Sequence, residues 1–308
     1  MKRILVTGGA GFIGSAVIPE LKAHDYEVFV VDNLSFGNRD LLNIPDTHFF
    51  EDDILDKPRM REIFQEVRPD SVVHLAAIHF IPYCNAHPYE AANINIMGTL
   101  NLLDAIRETG GVDRFFFAST AAVYPVYDHA TPETHATGPL DIYGLTKYTG
   151  ERLCREFHLE TGIDTIICRF FNAFGPNETN PHVIPVIQEQ INAGNRTIML
   201  GNLEPKRDFI HTYDMARAAR MLLEQFKGGV DVFNLGRGIE YSVRELVEAF
   251  ERQIGEKITI LQDPERIRPS DRMHLLADVS KLKAHTGWEP TIGLDEGIKT
   301  LIRIPVNE

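Results

Sequence analysis

Tyr143-Gly144-Leu145-Thr146-Lys147 sets a phenol and an ammonium four residues apart, and upstream Ser119-Thr120 ends an apolar run with a hydroxyl. On a helix, residues i and i+4 share one face. A tyrosine has an ordinary pKa of about 10 and is a weak base at neutral pH. A neighbouring ammonium and a cationic cofactor ring both favour its phenolate. A downward shift of about three units corresponds to about 4 kcal/mol, within reach of a dry pocket that holds both charges. Thr120 is placed to bridge a substrate and the phenol, and a threonine there also suits a turn cap. Tyr143, Lys147 and Thr120 are therefore the candidate catalytic residues. The Tyr-x-x-x-Lys spacing alone is common by chance; its company gives it weight.

That company starts at Thr7-Gly8-Gly9-Ala10-Gly11-Phe12-Ile13-Gly14, where Gly8, Gly11 and Gly14 recur every three residues. The run follows an apolar strand, Ile4-Leu5-Val6, and opens a helix with Phe12 and Ile13. This is the context a dinucleotide loop requires. One glycine makes the turn, one lets a pyrophosphate approach the backbone, and one lets helix and strand pack closely. The helix start offers unpaired N–H groups to the phosphates. Asp32 ends the next strand about 20 residues on, where a ribose 2′-hydroxyl is bound. A carboxylate there accepts from a diol and repels a 2′-phosphate, so NAD is expected rather than NADP; Arg39 nearby weakens the inference slightly. Asp53 and Ile54 follow the third strand and suit an adenine, the carboxylate toward the amino group and the isoleucine against the ring.

These residues need a frame. The first half alternates strand and helix signals: strands at Ile4–Val6, Glu27–Val31, His48–Phe50, Ser71–Leu75, Arg114–Ala118 and Thr165–Cys168, and helices at Phe12–Leu21, Lys57–Val67, Asn93–Arg107 and Tyr143–Thr161. Pro19 must lie near its helix's edge or kink it. Continuous apolar strands between helices predict an α/β fold, a doubly wound parallel sheet covered on both faces. After about Phe171 the pattern loosens. We expect a cofactor domain over 1–171, with a strand near 230–235 returning to its sheet, and a smaller α/β substrate domain over 172–308.

Composition narrows the partners. Lys and Arg number 31 against 44 Asp and Glu, a net charge of −13. Nucleic-acid binding leaves a basic footprint, and none is present. An anionic ligand must instead be held locally, by backbone N–H groups and a few arginines. The three cysteines, Cys84, Cys154 and Cys168, match no zinc or redox spacing, and no metal is expected. No apolar run reaches the length of a membrane span, and the basic start at Met1-Lys2-Arg3 lacks a long enough apolar stretch for a signal peptide. A cytoplasmic setting is the expectation.

With these residues assembled, the chain resembles the extended short-chain dehydrogenase/reductase family over essentially its whole length, within the nucleotide-sugar epimerase and dehydratase group. Thr7–Gly14 matches the family's phosphate loop, and Tyr143, Lys147 and Thr120 its catalytic set. Asp32-Asn33-Leu34-Ser35 with Gly37 is similar to the segment of its NAD-using epimerases. His74-Leu75-Ala76-Ala77 resembles the stretch beneath the nicotinamide ribose, and Asn95 with Gly98-Thr99 the usual helix motif. The resemblance thus adds Asn33, Ser35, Gly37, Leu75, Ala76, Ala77, Asn95 and Phe171 to the cofactor residues. It implies that Asn172, of Arg169-Phe170-Phe171-Asn172, meets a sugar diphosphate. Arg207 and the motif Arg268-Pro269-Ser270-Asp271 complete that site, with Arg268 on the diphosphate and Asp271 beside it. Gly287-Trp288-Glu289-Pro290 is similar to the C-terminal signature.

The departures matter as much. Family dehydratases follow the catalytic hydroxyl with acids that expel the C6 hydroxyl; here Ala121-Ala122 follow Thr120, and only a remote acid such as Glu133 could substitute. Asp141-Ile142 replaces the common Ser-Pro before the tyrosine, and His79–Cys84 is an unusual loop beside the expected sugar. The resemblance implies an NAD-dependent nucleotide-sugar 4-epimerase and a homodimer. The alternatives are a 4-ketoreductase or another epimerase of a GDP-, CDP- or dTDP-linked sugar, and, in another class, a non-catalytic dinucleotide sensor.

Overall fold

The structure, a computed structural model, describes residues 1–264 and 272–302. Its frame is a seven-stranded parallel sheet: β1 (Lys2–Thr7), β2 (Tyr26–Val31), β3 (Phe49–Phe50), β4 (Ser71–His74), β5 (Arg114–Thr120), β6 (Asp164–Phe170) and β10 (Val230–Leu235). The order is β3-β2-β1-β4-β5-β6-β10. This is the doubly wound dinucleotide-binding order with a seventh strand added beside β6, the Rossmann-type fold. Alternate residues of each strand enter opposite cores. Ile4 and Val6 pack under α1 (Gly14–Lys22) and α8 (Thr212–Gln225), whereas Leu5 packs under α2 (Lys57–Val67), α5 (Thr99–Thr109) and α6 (Ile142–Thr161).

The C-terminal half adds short elements. β7 (Asn172–Phe174), β9 (Lys206–His211) and β11 (Glu240–Ser242) form a small mixed sheet, and β8 (Thr197–Leu200) pairs with β12 (Thr259–Gln262). A separate core collects apolar side chains of α7 (Val183–Asn192), α9 (Val243–Ile254) and α11 (Leu294–Lys299). Trp288, just after α10 (Ser280–Thr286), is fully buried in the core under α8, and its indole N–H donates to the Asp214 carbonyl at 3.1 Å. No described helix is long and apolar enough to cross a membrane.

Pro19 lies inside α1, three residues before its end. One helix differs from the sequence reading. The stretch read as one helix from Asn93 begins as a wider π-turn over Asn93–Gly98, after α3 (Ile81–Ala86) and α4 (Pro88–Ala92), and turns α-helical only at Thr99. All three cysteines are buried; burial pushes the Cys84 thiol up to about 11 and raises those of Cys154 and Cys168 further.

α6 is held to the sheet by charge as well as by apolar packing. Glu151 accepts from Arg169 Nε at 2.8 Å and Nη2 at 2.7 Å, and from the Ser119 hydroxyl at 2.5 Å. Arg169 also donates to the Tyr124 hydroxyl at 2.8 Å, which donates in turn to Asn234. Arg169 and Glu151 are 5% and 2% exposed, so each charge depends on the other. Removing one partner of such a pair typically costs about 3–5 kcal/mol. Arg169→Met should lower the unfolding free energy by about that amount in urea titrations; a loss under about 1 kcal/mol would show that α6 does not depend on the pair.

Candidate active site

A cleft of about 1730 Å³ runs along the C-terminal ends of the parallel strands, the place where open α/β sheets bind ligands. At its centre β1 and β4 part, the strand order reversing between them. Leu75 and Ala76 N–H groups both donate to the Thr7 carbonyl at 3.0 Å. Gly8 has φ +71°, and a Cβ there would sit 2.6 Å from the Ala76 nitrogen. No side chain caps α1, and Gly8, Gly11, Phe12, Ile13 and Gly14 all line the cleft. An uncapped helix start behind a loop stripped of side chains fits the pyrophosphate of a dinucleotide.

Asp32 closes this loop from β2. Its Oδ2 accepts from Ala10 N–H and its Oδ1 from Leu34 N–H, both at 2.9 Å. Burial pushes its carboxyl up from the ordinary value, and the two backbone donors oppose the shift. Asn33 donates to Asp53 at 2.9 Å, joining the two acidic loops. Asp32, Asn33, Ser35, Gly37, Asp53, Ile54, Leu75, Ala76, Ala77 and Phe171 line the cleft. Arg39 is turned away: it donates to the Leu42 and Ile44 carbonyls and stacks 4.8 Å from the Phe49 ring centroid.

Asn95 is placed behind the lining. Its side chain accepts from Ile78 N–H at 2.8 Å and donates to the Ile78 carbonyl at 2.9 Å and to Thr146 at 3.0 Å, so it shapes the loop after β4 from within. His74 lies below. The Thr99 hydroxyl donates to the Asn95 carbonyl at 2.7 Å and therefore accepts from His74 Nε2–H at 2.9 Å, leaving Nδ1 to accept from Thr7 at 2.7 Å. Burial, with Lys147 nearby, drives the His74 pKa well down, so the ring stays neutral.

The candidate acid/base group stands at the start of α6. Asp141 caps this helix, accepting from Gly144 N–H at 2.7 Å. A Cβ on Gly144 would run into the Ala122 carbonyl; without one, α6 abuts the end of β5 and brings the Tyr143 phenol beside the Thr120 side chain. The Thr120 hydroxyl accepts from Ala122 N–H at 3.1 Å and caps the turn. Burial raises the Tyr143 pKa, the neighbouring Thr120 hydroxyl opposes this, and the nearby Cys84 and Asp141 raise it further. Lys147 is 2% exposed, its ammonium 4.4 Å from the Phe117 ring centroid. Burial draws it down to about 8, opposed by the neighbouring Cys154 and the Glu151 carboxylate. The phenol and the ammonium both line the cleft, with Cys84 and the Asp141 carboxylate also near the phenol.

Asn172 and Arg207 line the far end, with Arg207 donating to the Lys206 carbonyl at 2.8 Å and the Arg272 carbonyl at 2.5 Å. Arg268 and Asp271 lie outside the described residues. In the unusual loop, His79 and Tyr83 face the cleft, whereas Cys84 is buried behind it with its thiol toward the Ile78 carbonyl. Burial pushes His79 down to about 4, so it is neutral, and its Nε2 accepts from Asn180 across the cleft at 3.1 Å. Sequence reasoning missed Asn180, Glu178 and Arg272, which also line the cleft. Only the adjacency of Arg272 to the Arg268–Asp271 motif hinted at any of them. Glu133 is not among the lining residues; its carboxylate accepts from Asn234 N–H at 2.7 Å.

Residues 4–236 match the model of the NAD dependent epimerase/dehydratase family, and the chain belongs to that family. It is an NAD-dependent enzyme of the extended short-chain dehydrogenase/reductase type. A putative UDP-glucose 4-epimerase of Methanocaldococcus jannaschii is 34% identical over 97% of both chains. The solved UDP-glucose 4-epimerase of Thermotoga maritima with UDP-glucose superposes with a TM-score of 0.89 at 34% identity, covering 97% of each chain. That of Thermus thermophilus in complex with NAD gives 0.87 at 32% identity, again covering 97% of each.

Asp32 lines the cleft as an acceptor-only carboxylate and Arg39 is engaged elsewhere. Calorimetry on apo protein should show NAD binding at least tenfold tighter than NADP. Equal affinities would mean that the Asp32 carboxylate does not read the 2′ position.

Proposed function

We propose that the protein interconverts nucleotide sugars epimeric at C4, with UDP-glucose and UDP-galactose as the preferred pair. The observation that carries this reading is the placement of the Tyr143 phenol, Thr120 and Lys147 in one cleft with a dinucleotide site, with Ala121 and Ala122 beside Thr120. The names of the relatives, UDP-glucose 4-epimerases, support the base and the sugar.

Bound NAD supplies an acceptor that takes up a hydride and gives it back. The chain does the rest. Tyr143 removes the proton of the sugar C4 hydroxyl and later returns one. Thr120, beside the phenol, orients the hydroxyl being oxidised. The Lys147 ammonium holds the nicotinamide ribose and keeps a positive charge in the apolar wall. Asn172, Arg207 and Arg268 anchor the diphosphate, with Asp271 beside it in the substrate site; arginine forks suit phosphate oxygens better than a point charge does. Gripping the diphosphate while leaving the sugar loosely held lets the 4-keto sugar turn over before it is reduced from the other face. The cleft's volume exceeds the roughly 300–1,000 Å³ of a typical ligand pocket and accommodates both molecules and that rotation.

Dehydration needs an acid beside the catalytic hydroxyl. Ala121 and Ala122 offer none, and Glu133 is tied to the backbone of β10. A ketoreductase using NADPH is disfavoured by the acceptor-only carboxylate of Asp32. A homodimer in the cytoplasm completes the reading. Leu145 and Leu159 are 50% and 75% exposed and lie fourteen residues apart on α6, close to four turns and so on one face.

Tyr143→Phe keeps the ring's packing and loses only the proton. Turnover should fall about 10²- to 10⁴-fold with NAD binding intact; a wild-type rate would mean that another group is the base. Wild-type protein given UDP-glucose should yield an isomer of unchanged mass, and loss of water at a comparable rate by mass spectrometry would refute the epimerase reading. Light scattering should give twice the 34.8 kDa chain mass, and Leu145→Glu with Leu159→Glu should halve it. A monomeric wild type would refute the dimer.

A further inference from the structure

Asp141 and Arg272 meet in the wall of the cleft, and the mechanism above uses neither. Asp141 stands two residues before Tyr143, where Ser-Pro is the common pattern. One of its oxygens caps α6; the other faces Arg272 Nη2 at 4.0 Å, with the side chains 12% and 14% exposed. That Nη2 is buried and has no hydrogen-bond partner among the described residues. The Arg272 carbonyl, in turn, accepts from Arg207 at 2.5 Å. One residue therefore touches the arginine at the far end of the cleft and the cap of the helix that carries the phenol.

The charges around the phenol show what the guanidinium does. From its own helix Tyr143 faces Asp141 and, one turn on, Lys147. From α3 it faces Cys84, whose thiol is protonated, and Tyr83, whose hydroxyl donates to Glu90 on α4 at 3.0 Å. From the end of β5 it meets the neutral Thr120. His79 is neutral, and Glu178 faces His182 at 3.5 Å. Asp141 is therefore the carboxylate that bears on Tyr143. A negative charge so close opposes formation of a phenolate.

We propose that Arg272 is a positioning residue for the acid/base tyrosine: held against Asp141, its charge offsets the carboxylate nearest the phenol and ties the start of α6 to the segment that Arg207 grips. The proposal rests on the reading of Tyr143 as the acid/base group. A buried unit charge acts over several ångströms at an effective dielectric of about 20, enough to move a neighbouring group by about one pH unit.

The test uses Arg272→Met, Asp141→Asn and the double variant, with NAD binding and thermal midpoints as controls for folding. Asparagine keeps the helix cap and removes the charge. In the pH profile of kcat, Arg272→Met should move the limb that reports phenol deprotonation up by about one unit and lower kcat at pH 7 about tenfold. Asp141→Asn should move that limb down, and the double variant should return it close to wild type. A merely structural role for Arg272 would give no such return. An unmoved limb in Arg272→Met, or a double variant no better than the single, overturns the proposal. If Arg272→Met does not fold, Asp141→Asn decides, since an unmoved limb there overturns it equally. A wild-type rate in Tyr143→Phe would bring down the acid/base reading itself, whereas an inactive Tyr143→Phe with an unmoved limb brings down only this proposal.

Discussion

The site depends on a negative charge buried beneath α6. Glu151 is almost wholly removed from water, and a lone carboxylate there would cost several kcal/mol. It is held by both forks of Arg169 and by Ser119, so one side chain pins the helix to the ends of β5 and β6. Tyr143 and Lys147 lie on that helix, and Thr120 follows Ser119. The same charge opposes the loss of the Lys147 proton in a wall that would otherwise favour the neutral amine. The helix fixes the distance from phenol to ammonium, and the pair below fixes the distance from the helix to the sheet.

The second constraint is backbone proximity at the switch point. β1 and β4 end side by side, and the Thr7 carbonyl accepts two N–H groups from the chain leaving β4. Only a residue without a Cβ fits at Gly8, and the gap above it is open to a ligand. The neutral His74, wedged between Thr7 and Thr99, carries this geometry to the π-turn and to Asn95, which shapes the loop after β4. Cofactor loop and substrate loop thus share one polar spine running under the cleft.

Much of this was legible in the sequence, because it depends on periodicity and on residues whose chemistry is narrow. Apolar runs marked the strands, the glycines marked the turn, and Tyr143 and Lys147 marked a helix face. The π-turn was not legible, since one extra residue in a helical turn leaves the apolar spacing of Ile96, Leu100 and Leu103 helix-like. β9 was hidden too: Lys206-Arg207-Asp208 is charged at its start, and Asp208 is buried only because backbone N–H groups of Arg237, Gly238 and Ala277 reach it. The partners of charges, Glu151 for Arg169 and Arg272 for Asp141, lie 18 and 131 residues apart, and no local pattern links them. The spacing of Tyr143 and Lys147 also says nothing of the burial, or of the Cys84 and Asp141 neighbours, that raise the phenol's pKa in the fold.

The three thiols give the molecule an internal clock. Cys84, Cys154 and Cys168 are buried and held protonated, and the thiolate is the form that reacts with alkylating reagents. Cys168 lies in the middle of β6, Cys154 on the inner face of α6, and Cys84 behind the loop that flanks the sugar. Labelling at each position therefore waits on a different opening event. Cys168 exposes only when the central sheet comes apart, and Cys84 when α3 lifts away, so the order of their modification would chart how the enzyme comes undone.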